Sequence, residues 1–87
     1  MTATVLKTEK HKSKYGGFFY YLFMKGEDGK SYRTCVAEKY SNYQRWKNFI
    51  TRSLSGERFT LTGLSLMRNG FINADCEPKE VIEKKEI

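Results

Sequence analysis

Within six consecutive residues, Phe18, Phe19, Tyr20, Tyr21, Leu22 and Phe23, only one lacks an aromatic ring, and Lys7, Lys10, His11, Lys12 and Lys14 stand just ahead of them. Flat rings give nucleobases a surface to stack on, and lysines beside them neutralise phosphates. This pairing of residue types therefore predicts a surface for single-stranded nucleic acid. Other chemistries find less support. The single histidine, His11, with Cys35 and Cys76 cannot supply the four ligands of a structural zinc site, and none of the paired ligand spacings occurs. No metal and no cofactor is expected. No serine or cysteine has an evident base partner, and Asp28 and Asp75 fall at a turn and a strand end, so a binding protein rather than an enzyme is expected. Both cysteines lie in apolar, strand-like runs, which predicts buried, reduced thiols in a cytoplasmic protein.

Charge narrows the location of the surface. The chain of 87 residues carries a formal +6, with eleven Lys or Arg against four Asp or Glu over residues 1–52, and five against six over 53–87. The basic surface thus belongs to the first half, and a polyanionic partner follows from combining it with the aromatics. A chain of this length builds one domain with one modest core. Its longest apolar run, Phe18 to Met24, is far shorter than the roughly 20 residues of a membrane span, and Met1 to Thr4 do not open a charged leader. A soluble protein without a membrane partner is expected.

The elements that position these residues can be read from periodicity. Residues 3–12 read as a strand that starts apolar and ends polar, 13–17 as a loop punctuated by Gly16 and Gly17, and 17–25 as a second strand. Asp28 and Gly29 suit the tight turn to a third strand over 31–37. With a turn of two or four residues, Phe19, Tyr21, Phe23 and Lys25 share a face with Tyr32, Thr34 and Val36. The opposite face, with Leu22, Met24, Cys35 and Ala37, is expected inside, which forces Arg33 to escape at the rim. The reverse assignment, with Phe18, Tyr20 and Arg33 outside, stays open at this stage.

Tyr43, Trp46, Phe49, Ile50 and Leu54 recur at helical spacing over 41–54. Ser41 and Gln44 fit a capping box, and Gly56 fits a terminator. Residues 57–67 read as a strand whose apolar phase changes from Phe59 and Leu61 to Leu64 and Leu66, which predicts a bulge or bend at Gly63. Asn69 and Gly70 predict a hairpin to a returning strand over 71–76, and Pro78 is expected to end regular pairing. The fold class is therefore mainly β with one helix, the helix standing between strands three and four of a five-stranded OB-like barrel. The domain is expected over 1–77, with 78–87 a short charged tail that docks Val81 and Ile82 on the body.

In element order and aromatic placement the chain resembles the OB-fold single-stranded DNA-binding proteins, in particular the small ones of phages and mobile elements. The resemblance implies stacking on strands two and three by Tyr21, Phe23 and Tyr32, with Phe19 beside them. It implies clamp contacts from Lys12, Lys14 and Tyr15 in the first loop and from Arg68 and Asn69 in the last hairpin, with Lys25 and Lys30 meeting phosphates. It further implies binding with little sequence preference in replication or recombination, and a homodimer as the common way to lengthen the track. Residues 77–87 mix both charge signs, unlike the acidic tail through which the bacterial members recruit partners. Two other readings use the same rings: a protein-interaction module of the phage-inhibitor or subunit type, with the aromatics as its hot spot, and an RNA binder resembling cold-shock domains, through Lys14, Tyr15, Gly16, Gly17, Phe18 and Phe19.

Overall fold

A computed structural model describes residues 1–82. Three strands, β1 (Ala3–Lys12), β2 (Phe18–Gly26) and β3 (Ser31–Ala37), precede the helix α1 (Tyr43–Leu54), and two short strands follow it, β4 (Phe59–Thr62) and β5 (Lys79–Glu80). The strands form one antiparallel sheet in the order β3-β2-β1-β4-β5. The sheet is not closed by continuous pairing. Phe71 makes an isolated parallel bridge to Arg33, and Ile72 an antiparallel one to Leu66.

Alternation along β2 separates two faces. Tyr20, Leu22 and Met24 are buried, and β1 adds Ala3 and Val5 to the same side while β3 adds Thr34 and Val36. The helix covers this face with Trp46 and Ile50, joined by Phe59, Leu61, Leu64 and Ile72. Each large apolar side chain buried here is worth roughly 1.5–3 kcal/mol relative to exposure, so the helix-side face is where the fold is held.

Which β3 residues join each face departs from the expectation above. The β2–β3 connection holds three residues, Glu27, Asp28 and Gly29, between the paired Gly26 and Lys30, with Gly29 at φ +82° and the Gly26 amide donating to the Lys30 carbonyl at 2.8 Å. An odd connection pairs odd residues with odd ones: Phe19 with Ala37, Tyr21 with Cys35, Phe23 with Arg33. Cys35, Ala37 and Arg33 therefore lie on the outer face and Thr34 and Val36 inside. Arg33 needs no escape route. Neither cysteine is a fully buried thiol: Cys35 is exposed and Cys76 half-buried, and both are unpaired.

β1 serves both layers through a bulge. Val5 pairs with Met24 and Lys7 with Phe23, leaving Leu6 as the extra residue. Ala3 and Val5 consequently face the core, whereas Lys7, Glu9 and His11 face outward opposite Phe23, Tyr21 and Phe19.

The helix begins at Tyr43 after Asn42, whose backbone is already helical, and the expected capping box does not form. Asn42 instead donates its amide to Asp75 at 3.2 Å, and the indole of Trp46 donates to the Ala74 carbonyl at 2.8 Å. At the other end the Gly56 amide reaches Ser53 and the Glu57 amide reaches Arg52, the paired bonds that close a helix on a left-handed glycine; Gly56 has φ +93°. The chain bends at Gly63 as expected, with φ +77°. Beyond it, however, residues 71–76 form no strand: the Asn69–Gly70 turn is present, with Met67 accepting from Gly70 at 3.2 Å, but only the isolated bridges follow. The fifth strand lies past Pro78 instead, where Arg52 grips Glu80 through two hydrogen bonds of 2.9 and 2.7 Å. The start of the expected tail is thus tied to the sheet by backbone and ion pair, while the Val81 and Ile82 side chains stay exposed. The rest of that tail, 83–87, lies outside the described residues.

Candidate nucleic-acid interface

Period-two alternation lines up Phe19, Tyr21 and Phe23 on the outer face of β2, away from the helix. Ring centroids lie 5.6 Å apart between Phe19 and Tyr21, edge to face, and 6.3 Å apart between Tyr21 and Phe23. All three rings are half-buried, so each presents part of its surface to solvent. β1 flanks the row with His11, stacked on Phe19 at 5.3 Å and 18° between planes, and with Lys7, whose ammonium lies 5.0 Å from the Phe23 ring centroid. On the β3 side Arg33 lies 4.6 Å from the Phe71 ring and 6.0 Å from that of Tyr21. Rings and cations thus alternate across three strands.

One carboxylate interrupts them. Glu9 stands opposite Tyr21 and bridges Lys7 at 3.4 Å and His11 at 3.2 Å. The hydrogen bond from His11, helped by Lys7, holds its carboxyl below the ordinary range. On the same face Cys35 stands opposite Tyr21, and although the residue is exposed, partial desolvation of its thiol pushes it up, which favours the uncharged form.

Three of the expected stacking residues, Phe19, Tyr21 and Phe23, come together, and Lys25 continues their face at the turn end of β2. Tyr32 does not join them. Paired with Met24, it lies on the core side against the hydrophobic cluster and donates its hydroxyl to Asp28 at 2.5 Å, which raises the phenol and lowers the carboxyl. The odd-length turn is again the reason. Lys12 pairs with Phe18 and so alternates away from the outer row, and Lys30 sits exposed in the turn with its amide bonded to Asp28.

Lys14 and Tyr15 form a separate cluster at the tip of the first hairpin. The Lys14 and Lys39 ammonium groups lie 5.3 and 5.2 Å from the Tyr15 ring, and Lys39 also lies 5.3 Å from Tyr40. Glu38 secures this tip by accepting from the Phe18 amide at 2.8 Å. Arg68 is exposed in the turn that carries Asn69 and Phe71.

Sequence reasoning missed Lys7, His11, Arg33 and Phe71 as members of the outer face. The basic run signalled the first two without their facing, which depends on the Leu6 bulge. Arg33 needed the turn length, and Phe71 the bridge that brings it beside Arg33. Among the described residues no helix is long and apolar enough to cross a membrane, and no three His, Cys, Asp or Glu side chains gather as a metal site. Comparison of the chain with protein-family models, with curated proteins and with solved structures returned no match.

Proposed function

We propose that the outer sheet face binds single-stranded DNA, with Phe19, Tyr21 and Phe23 as stacking platforms, Lys7 and Lys25 meeting phosphates, and Arg33 bordering the rings from β3. The observation that carries this reading is the uncovered row of three rings bordered by cations on both neighbouring strands. Stacking is indifferent to base identity, so most of the track binds with little sequence preference, as suits protecting or presenting strands during replication or recombination. An OB-like barrel is the architecture we assign: the isolated bridges of Phe71 to β3 and of Ile72 to Leu66 are the pairings that a closing fifth barrel strand would extend.

The test is a titration with a labelled oligo-dT, its duplex counterpart and an oligo-U, each at two salt concentrations and followed by anisotropy. Trp46 is buried with its indole N–H engaged, so it is a poor reporter of the outer face. Oligo-dT should bind better than duplex, with a log–log salt slope of about −1.4 for roughly two phosphate contacts. Tyr21→Ala should weaken binding about tenfold, within the roughly 1–3 kcal/mol that one stacked base is worth, at unchanged melting cooperativity. Equal indifference to all three ligands would sink the proposal, and tighter binding to oligo-U would move it to RNA.

A further inference from the structure

We propose that the cleft between Phe23 and Phe71 is a subsite for one guanine base, so that a strand held indifferently along the ring row is read at this one position. The inference rests on the reading of the outer face as a single-strand surface. The cleft is open to solvent, has a volume of about 380 Å³ and adjoins the end of the aromatic row at Phe23. That lies in the lower part of the range of small-molecule sites, about 300–1,000 Å³.

Its walls are built. The Ile72 amide donates to the Arg33 carbonyl at 2.8 Å, and the fully buried Thr34 hydroxyl donates to the Ile72 carbonyl at 2.8 Å, which holds Phe71 beside β3. The Phe71 amide in turn donates to Asn69 Oδ1 at 3.1 Å. Phe23, Tyr32 and Phe71 therefore all line the cleft, with Arg33 between the first and the last of them.

The polar side chains left over can all donate. Among the described residues the Arg33 guanidinium has no carboxylate or carbonyl partner and rests on ring faces. Asn69 spends its oxygen on Phe71, which leaves the amide N–H₂, and Ser31 contributes a hydroxyl. The Tyr32 hydroxyl is already committed to Asp28, and no carboxylate lines the cleft. A planar fork of donors matches a base edge with two neighbouring acceptors. On the major-groove edge guanine presents that pair as O6 and N7, whereas adenine and cytosine place an amino donor there and thymine offers a single acceptor; cytosine N3 and O2, open in an unpaired strand, are the competing pair that the dC strand tests. In an unpaired strand this edge is open to a side chain.

The experiment compares oligo-dT of about 10 nucleotides, near one site length, with the same strand carrying a single central dG, dA, dC or 7-deaza-dG. We expect the dG strand to bind at least about fivefold tighter than oligo-dT, the low end for a bidentate contact. The gain should vanish with 7-deaza-dG, which lacks N7. It should also vanish in Arg33→Met, where the dG-to-dT affinity ratio should fall to about one whatever the absolute affinity, because methionine keeps an apolar stem and offers no donor to either guanine acceptor. Binding of all strands with equal affinity would overturn this subsite and leave the single-strand surface standing. A preference that persists in Arg33→Met or with 7-deaza-dG would overturn the assigned contact. Failure to bind any strand would remove the surface and the subsite together.

Discussion

Glu9 is the carboxylate that sits among the cations of the outer face, bonded to Lys7 and His11 and directly opposite Tyr21. A phosphate approaching Lys7 meets a negative charge already in place, so part of the electrostatic gain of binding goes into displacing it. Glu9→Gln keeps the shape and removes the charge. We expect it to tighten oligo-dT binding by up to about fivefold at low salt, as the roughly 0.2–1 kcal/mol of an exposed ion pair implies, and less at high salt. Titration of both proteins at two ionic strengths checks this; weaker binding by the variant would mean that Glu9 orders Lys7 and His11 for the ligand instead of competing with it. The tenfold loss expected for Tyr21→Ala is the complementary case, a platform removed.

At the scale of elements, Gly63 carries the bend that turns the chain out of β4. Its φ of +77° suits glycine, and a Cβ built there would lie 2.9 Å from the Glu77 carbonyl oxygen, a backbone atom that cannot swing away. Gly63→Ala should therefore cost at least about 2 kcal/mol, combining left-handed strain with the clash, and should show as an earlier denaturant midpoint. That bend was legible because the apolar phase changes across Gly63. So were the first three strands, the helix and the two faces of β2. Alternation separates Tyr20, Leu22 and Met24 from their neighbours without help from tertiary structure. The membership of β3 was not legible, since Asp28 and Gly29 suit turns of different length and one residue more exchanges Tyr32 for Arg33 on the outer face. Nor was β5: Pro78 reads as a stop, yet Lys79 and Glu80 pair with β4 because Arg52, in the last turn of the helix, offers a fork to Glu80. Long-range partners of this kind leave no periodic trace.

For the molecule as a whole, stability should have a plateau with two different edges. Hydrogen bonds from His11, Tyr32 and Arg52 lower the carboxyls of Glu9, Asp28 and Glu80. Groups whose pKa falls on folding stabilise above their unfolded values and lose that contribution as pH drops through the folded ones, so the melting temperature should decline below about pH 4.5. Glu80→Gln should make that acid edge shallower. On the alkaline side burial, aided by Glu38 and Tyr43, pushes the Tyr20 phenol from 10.0 up to about 12. This group favours folding below its unfolded value, and the contribution is lost between those two pH values as the unfolded chain ionises first. Tyr20→Phe should flatten the alkaline edge, and melts across the pH range check both. The bulge in β1 has a consequence for chain length. Because Val5 and Lys7 already oppose adjacent residues of β2, excising Leu6 would leave every cross-strand partnership of β1 intact, whereas adding a residue to the second half would turn its charged side chains toward the helix. The gene can lose a codon there without exchanging inside for outside, a tolerance that few other places in so small a sheet can share.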